Sequence, residues 1–118
     1  MVIKEIYDPG NIEYVESFYI LLLNRASEVI GYKQISIGGV NGTVVDAKIV
    51  FGTALKCNAS SMILIHNHPS GSLYPSQPDK HLTKKLVSGG KILDVLVLDH
   101  LIVTSEGYYS FADEGVME

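Results

Sequence analysis

The sequence contains one cysteine, no tryptophan and no long apolar run, and each scarcity excludes a class of protein. Cys57 alone cannot form an internal disulfide, and a lone thiol in a helix-like stretch is typical of a small buried residue rather than a nucleophile. The longest apolar run, Phe18 to Leu23, is far shorter than the ~18 residues that a membrane-spanning helix needs, and no secretory signal pattern is present. We therefore expect a cytoplasmic protein without a membrane segment.

Positive charge is also scarce. The 118 residues carry nine lysines and arginines against thirteen acidic residues, a net charge of −4, and Lys84-Lys85 is the only adjacent basic pair. Without a basic patch, autonomous binding to nucleic acid is not expected. Hydrophobic residues make up 47% of the chain, which is typical of an ordered globular protein. The length predicts a single domain over residues 1–118.

Alternating and helix-spaced apolar residues predict a mixture of strands and helices. Strands are predicted at 2–7, 18–23, 29–37, 61–65, 95–98, 101–104 and 108–111, and helices at 47–59 and from 76 to 86 or beyond. Asp46 is the predicted N-cap of the first helix, with Ile49, Val50, Ala54 and Leu55 on its inner face. Gly89-Gly90 is predicted to end the second helix, and Asp99-His100 to separate two strands. The pattern favours an α/β or α+β three-layer domain with a mixed β-sheet flanked by helices.

The chain is organised around one segment, His66 to Asp79, which holds three of the four prolines and follows an apolar strand. His66 and His68 lie two residues apart, so in extended chain both side chains point to the same side. Two histidines and Asp79 are acceptable zinc ligands, and three protein ligands with an open fourth position are typical of a catalytic zinc site. The hypothesis from the residues alone is a metal-activated water.

Other readings of these residues remain open at this point. Ser76 and Asp79 match the Ser-x-x-acid pattern of a helix N-terminus, where the acid reaches back to backbone amides, and this role is compatible with metal binding. His81 and His100 are interpreted as surface or satisfied core histidines. A proton acceptor for the water is not identified by composition, and the candidates are Glu5, Glu13, Glu16, Glu28 and Asp46.

The same segment resembles a known family. His66, His68, Pro69, Gly71, Pro75, Ser76 and Asp79 match every fixed position of the His-x-His-Pro-x-Gly-x-x-x-Pro-Ser-x-x-Asp signature of the JAMM (JAB1/MPN+) metalloprotease superfamily. With Asn67 and Ser70 the motif reads His-Asn-His-Pro-Ser-Gly, which resembles the RadC branch. The resemblance continues through Leu98-Asp99-His100-Leu101-Ile102 and Tyr109-Ser110-Phe111, and it covers nearly all of the chain from about Glu13.

The resemblance implies a fold, a cofactor and a mechanism. The fold is the JAB/MPN domain, close to the cytidine-deaminase-like architecture. One Zn²⁺ is held by His66, His68 and Asp79, Glu16 is the general base, and Ser76 donates a hydrogen bond to the oxyanion. The implied activity is hydrolysis of amide bonds in a peptide or protein substrate. True zinc deaminases are excluded, because their Pro-Cys-x-x-Cys motif needs more than one cysteine.

Three alternatives stay open. The first is a non-catalytic interaction module that retains its zinc site, and the second is a DNA-repair-associated factor, as the RadC name suggests. The third is a non-haem iron protein, since two histidines and a carboxylate also form the iron-binding triad of such proteins. Full-length RadC proteins usually carry an N-terminal helix-hairpin-helix region, which we expect to be absent from residues 1–118. The substrate and the oligomeric state are left open by the sequence.

Overall fold

The computed structural model describes residues 6–7, 12–38 and 44–117, and within these ranges the chain forms one mixed sheet and two helices. The strands are β1 (Ser17–Leu23), β2 (Val29–Ile37), β3 (Ser61–Asn67), β4 (Leu96–Val103) and β5 (Tyr108–Ser110), and the helices are α1 (Ala47–Lys56) and α2 (Gln77–Leu93). No helix in the described ranges is both long and apolar enough to cross a membrane.

The five strands lie in the order β2-β1-β3-β4-β5. β1 is antiparallel to both β2 and β3, β5 is antiparallel to β4, and β3 and β4 are parallel. Parallel neighbours need a crossover, and α2 supplies it between β3 and β4. The predicted mixed α/β fold is confirmed. β3, in the centre of the sheet, carries the start of the His66 to Asp79 segment.

The two faces of the sheet bury separate apolar clusters. On one face, alternate residues of β1 and β3 pack against both helices, and this cluster includes Phe18, Ile20, Leu22, Met62, Leu64, Val50, Phe51, Ala54 and Leu86. On the other face, Ile6 and Tyr7 pack against Leu21, Ile65 and Val103. His66 continues the helix-facing series of β3 and Asn67 the opposite series, because neighbouring strand residues point to opposite faces.

Helix α1 begins where the sequence predicts and ends earlier. Asp46 is its N-cap, and Asp46 Oδ1 accepts a hydrogen bond from the Lys48 N–H at 2.8 Å. The helix stops at Lys56 rather than residue 59. Its predicted inner face was partly wrong, because Ile49 and Leu55 are 46% and 52% exposed. Apolar spacing alone did not reveal the rotation that turns Val50, Phe51 and Ala54 inward.

Cys57 is exposed, so its interpretation as a small buried residue was wrong. The physical reason is its position as the C-cap of α1, where the chain leaves the helix. Its backbone N–H bonds to the carbonyls of Thr53 and Leu55.

Helix α2 does not end at Gly89-Gly90, as predicted, but continues to Leu93. It ends at Asp94, whose φ of 58° is left-handed and whose N–H bonds to the carbonyl of Gly90. Gly90 is needed for packing rather than for a turn, because a Cβ there would collide with the backbone oxygen of Val95. Glycine lets the last turns of the helix approach the chain that enters β4.

Asp99-His100 does not separate two strands, because β4 runs without interruption through both residues. The error has a local cause. Met62 pairs with Val97 but Ile63 pairs with Asp99, so one extra residue of β4 forms a bulge. Beyond the bulge, the residues of β4 that face each side of the sheet are exchanged. In the sequence this break in the alternation resembles the end of a strand.

The first predicted strand, 2–7, was wrong at Ile6 and Tyr7, which lie outside the sheet; residues 2–5 fall outside the described ranges. Tyr7 is instead buried over the second face, and its hydroxyl donates to the backbone oxygen of Ser17 at 3.0 Å. The predicted pairing of 29–37 with the preceding strand is confirmed by the β1–β2 ladder.

Candidate metal centre

Three elements meet at one end of β3. His66 lies near the end of this strand, His68 follows directly after it, and Asp79 lies in the first turn of α2. The backbone N–H of His68 donates to the carbonyl of Val103 in the neighbouring strand at 3.1 Å, which fixes where the chain leaves the sheet. Gly71, with φ of +86°, then turns the chain towards α2.

The side-chain atoms of these three residues converge. His66 Nε2 lies 2.9 Å from His68 Nε2 and 3.3 Å from Asp79 Oδ1, and His68 Nε2 lies 3.2 Å from Asp79 Oδ2. Around a tetrahedral Zn²⁺ with ligands at 2.0–2.1 Å, neighbouring ligand atoms lie about 3.3 Å apart. The spacing of the three side chains therefore fits a Zn²⁺ ion, the metal that their chemistry suggests.

Electrostatics favour a positive charge in this cluster. The hydrogen bond with Asp79 raises the pKa of His68 above its ordinary value, against the opposing effect of burial. Burial alone would raise the pKa of Asp79, but the contacts of its carboxylate with His66 and His68 outweigh burial and lower that pKa. His68 Nδ1 donates to the carbonyl of Ser72 at 2.8 Å, because a carbonyl can only accept, which leaves Nε2 to face the cluster.

The N-terminus of α2 is closed by the predicted capping box. Ser76 Oγ accepts from the Asp79 N–H at 3.1 Å, and Asp79 Oδ2 accepts from the Ser76 N–H at 2.8 Å. Asp79 Oδ2 is also the oxygen next to His68, so capping orients the carboxylate towards both histidines. The capping role and the contact with the histidines occur together in one side chain.

Glu16 reaches the same cluster from the segment before β1. Phe18 pairs with His66 across the antiparallel ladder, which brings the start of β1 beside the end of β3. One carboxylate oxygen of the half-buried Glu16 and one ring nitrogen each of His66 and His68 all lie within 4.8 Å of one another. Of the candidate bases named from sequence, Glu5 lies outside the described residues and Glu16 lies at the cluster.

Residues 3–116 match the sequence model of the RadC-like JAB domain. The chain belongs to the RadC-like JAB domain family. A UPF0758 protein of Flavobacterium johnsoniae is 54% identical over 101 residues, which are 86% of this chain and 44% of that protein. A second, of Alkaliphilus metalliredigens, is 46% identical over 102 residues, 86% of this chain and 44% of its own. A third, of Symbiobacterium thermophilum, is 40% identical over 103 residues, with shares of 87% and 44%.

This RadC-like JAB domain thus spans under half the length of the curated relatives that it matches. The JAB fold expected from the motif is shown both by the match and by the mixed sheet with two helices in the described residues.

Sequence reasoning assigned no role to two buried residues beside the candidate centre of this RadC-like JAB domain. His100 is fully buried with both ring nitrogens paired, which agrees with a satisfied core histidine, but one partner is His66. Burial, and then the charge of His66, lower the pKa of His100 well below its ordinary value. Asn67 is fully buried and bonds to the segment before β1. His81 is exposed, in agreement with its surface interpretation.

No local signal identifies His100 from the sequence. It comes beside His66 through the parallel pairing of β3 with β4, in which Leu64 lies opposite His100. Asn67 had a signal, since an amide inside an apolar strand end needs hydrogen-bond partners when it is buried.

Proposed function

We propose that this RadC-like JAB domain is a zinc-dependent hydrolase of the JAMM type that cleaves an amide bond in a peptide or protein. The observation that carries the proposal is the convergence of His66 Nε2, His68 Nε2 and the Asp79 carboxylate at 2.9–3.3 Å, with a Glu16 oxygen within 4.8 Å of the histidine nitrogens. Two imidazoles and one carboxylate with an open fourth position suit catalytic zinc.

The ligands are His66, His68 and Asp79. When bound there, zinc lowers the pKa of a coordinated water to about 7 and polarises the carbonyl under attack. Glu16 accepts the proton of the attacking water and delivers it to the leaving nitrogen. The Glu16 carboxylate reaches the ligand cluster from the segment before β1, and in this proposal it acts as the base beside the three ligands.

Ser76 supplies the remaining polar contact. Its oxygen is occupied as an acceptor by the Asp79 N–H, and a hydroxyl has one hydrogen to donate. In the proposed reaction that hydrogen bonds to the carbonyl oxygen as negative charge develops on it, and such a donor typically contributes about a hundred- to a thousandfold in rate.

The first test is metal content. The purified protein, its metal-stripped form and its zinc-reloaded form are analysed by elemental mass spectrometry, and one zinc per chain is expected. His66→Ala is expected to abolish loading. A protein that takes up iron but not zinc contradicts the proposal in favour of the two-histidine, one-carboxylate iron triad.

The second test is hydrolysis. Zinc-loaded protein is incubated with a peptide library from a digested proteome, and new termini are identified by mass spectrometry. Glu16→Gln is expected to keep its zinc and lose cleavage, whereas Glu13→Gln, three residues earlier and exposed, is expected to cleave as the unchanged protein does. If all three proteins bind zinc equally and none of them cleaves any peptide, the hydrolase proposal is contradicted and an interaction module is favoured.

A DNA-repair role without hydrolysis is tested separately by the affinity for DNA as a function of salt. The net charge of −4 argues against a phosphate-binding surface. Tight binding that weakens steeply with salt, together with absent cleavage, would overturn the hydrolase proposal.

A further inference from the structure

A chain of hydrogen bonds runs behind His66, on the side away from the ligand cluster. His66 Nδ1 lies 2.7 Å from His100 Nε2, and His100 Nδ1 lies 2.5 Å from Thr83 Oγ1. Thr83 Oγ1 in turn lies 2.9 Å from the backbone oxygen of Asp79, one turn earlier in α2. The chain thus begins and ends at two of the three candidate ligands.

The last acceptor sets a direction. The Asp79 carbonyl can only accept, so the Thr83 hydroxyl donates its single hydrogen to it. Thr83 Oγ1 then accepts from the His100 Nδ1–H, and the Nε2 atom of His100 is left with a lone pair. That lone pair accepts from the His66 Nδ1–H. His66 Nε2 therefore faces the cluster with a lone pair, which is the form that binds a metal.

The opposite direction gives the opposite result. If the Thr83 hydroxyl donated to His100 Nδ1, then His100 Nε2 would donate to His66 Nδ1, and the hydrogen of His66 would lie on Nε2. A ring nitrogen that carries a hydrogen cannot be a ligand. This arrangement also loses the bond from the Thr83 hydroxyl to the Asp79 carbonyl, and it points the His66 Nε2 hydrogen at Asp79 Oδ1, 3.3 Å away, into the space that a cation held by both residues would need.

Aromatic packing holds the ring of His100 in this chain of hydrogen bonds. It stacks on Phe111 with centroids 4.5 Å apart and an angle of 12°, and it meets Phe18 edge-on at 5.7 Å. It is fully buried, as is Thr83 to within 1%. With apolar rings on two sides, His100 has Thr83 and His66 as its hydrogen-bond partners among the described residues.

We propose that Thr83 and His100 are positioning residues that hold His66 in its Nδ1–H form and so direct its Nε2 lone pair at the bound cation. The inference rests on the proposed function, because it assigns His66 as a ligand. It adds two residues that contact neither the cation nor the substrate. Partners behind a ligating histidine typically change metal affinity by about 10- to 100-fold when they are removed.

The experiment uses variants that differ by one hydroxyl. Thr83→Val keeps the side-chain shape and removes the hydroxyl, so His100 Nδ1 loses its acceptor and the ring favours the other form. Thr83→Ser keeps the hydroxyl. Thr53→Val is the matched control, since Thr53 Oγ1 makes the same bond to the carbonyl one turn earlier, to Ile49 at 2.8 Å, but on α1.

Zinc affinity is measured for each folded protein by competition with a chelator. Thr83→Val is expected to bind zinc about 10- to 100-fold more weakly. Thr83→Ser and Thr53→Val are expected to bind as the unchanged protein does. Multiple-bond ¹H–¹⁵N spectra of the metal-free proteins report which ring nitrogen of His66 carries the hydrogen, and the Nδ1–H fraction is expected to fall in Thr83→Val. Equal zinc affinity and an unchanged His66 spectrum in Thr83→Val would overturn the proposal.

A second pair covers the case in which Thr83→Val does not fold. His100→Gln keeps an acceptor for His66 Nδ1 and a donor for Thr83, whereas His100→Leu removes both. Only His100→Leu is expected to weaken zinc binding, and equal affinities would overturn the proposal. If the unchanged protein binds no zinc, the proposed function fails, and the His66 spectra alone then decide whether the hydrogen-bond chain directs this ring.

Discussion

The side-chain oxygen of Asn67 accepts a hydrogen bond from the backbone N–H of Ser17 at 2.8 Å, which ties the end of β3 to the start of β1. The amide nitrogen of Asn67 donates to the carbonyls of Ile12 at 2.9 Å and Val15 at 2.7 Å. Glu16 lies between two of these anchored residues. One buried amide therefore positions the segment that carries the proposed base.

Asn67→Ala is expected to lower the free energy of unfolding by about 3 kcal/mol, because it removes four hydrogen bonds, one of them from the Ser17 hydroxyl, and leaves the buried Ser17 N–H without its partner. Asn24→Ala is the control, since Asn24 Oδ1 also accepts two backbone bonds, from Ala26 and Glu28, but in the exposed β1–β2 turn. Its expected loss is below about 1 kcal/mol. Urea unfolding measures both, and equal losses would contradict the buried role of Asn67.

Ser76→Gly separates the capping role of this residue from its proposed chemical role. Glycine at an N-cap lowers helix stability by only a few tenths of a kcal/mol relative to serine. Loss of an oxyanion donor is expected to lower the cleavage rate about a hundred- to a thousandfold. Thermal unfolding and the peptide-library assay measure the two effects. Ser76→Thr keeps the hydroxyl and should retain both properties, and a Ser76→Gly variant that cleaves at the full rate would remove Ser76 from the mechanism.

Two helical glycines are expected to respond oppositely to alanine. A Cβ at Gly90 would collide with the backbone oxygen of Val95, so Gly90→Ala is expected to cost at least about 2 kcal/mol. A Cβ at Gly52 in α1 would meet nothing within 4 Å, so Gly52→Ala is expected to stabilise by about 0.5–1 kcal/mol. Urea unfolding compares them. If both variants lost the same stability, the loss in Gly90→Ala would not come from the close packing of α2 against the chain that enters β4.

The elements that the sequence predicts well are those with strong local causes. Asp46 begins α1 by side-chain capping, and Ser76 with Asp79 forms the capping box at α2, as the Ser-x-x-acid pattern indicates. The spacing of His66 and His68 in extended chain places both rings on one side, and the structure brings them together with Asp79. In each case the determining contacts lie within a few residues.

What the sequence does not reveal depends on pairing between distant strands. The bulge in β4 is defined by its register against β3, so its broken alternation was misread as a strand end. His100 adjoins His66 only because these strands are parallel. The length of α2 was misjudged because Gly89 and Gly90, which usually end helices, here serve close packing on Phe51 and Val95.

The pH dependence of stability gives a test on the sheet face opposite the helices. Burial of Tyr7 is the main cause that raises its pKa above the ordinary value of 10, although a side-chain hydrogen bond with Ser17 acts in the opposite direction. The folded state therefore keeps the phenol hydrogen at pH values where the unfolded chain has lost it. The contribution of Tyr7 to stability is present below about pH 10 and is lost as the pH rises through the folded-state pKa.

Tyr7→Phe removes this titration. The difference in unfolding free energy between the unchanged protein and Tyr7→Phe is expected to be constant from neutral pH to about pH 9.5 and to fall above it. Above that pH the unfolded tyrosine chain loses its phenol hydrogen while the folded protein keeps it, and phenylalanine has no such hydrogen to lose. Tyr14→Phe is the control, since Tyr14 is 78% exposed and should give a flat difference. Urea unfolding at a series of pH values measures both curves. A flat curve for Tyr7→Phe as well would mean that Tyr7 does not close this face, and that the segment leading to Glu16 is held by Asn67 without it.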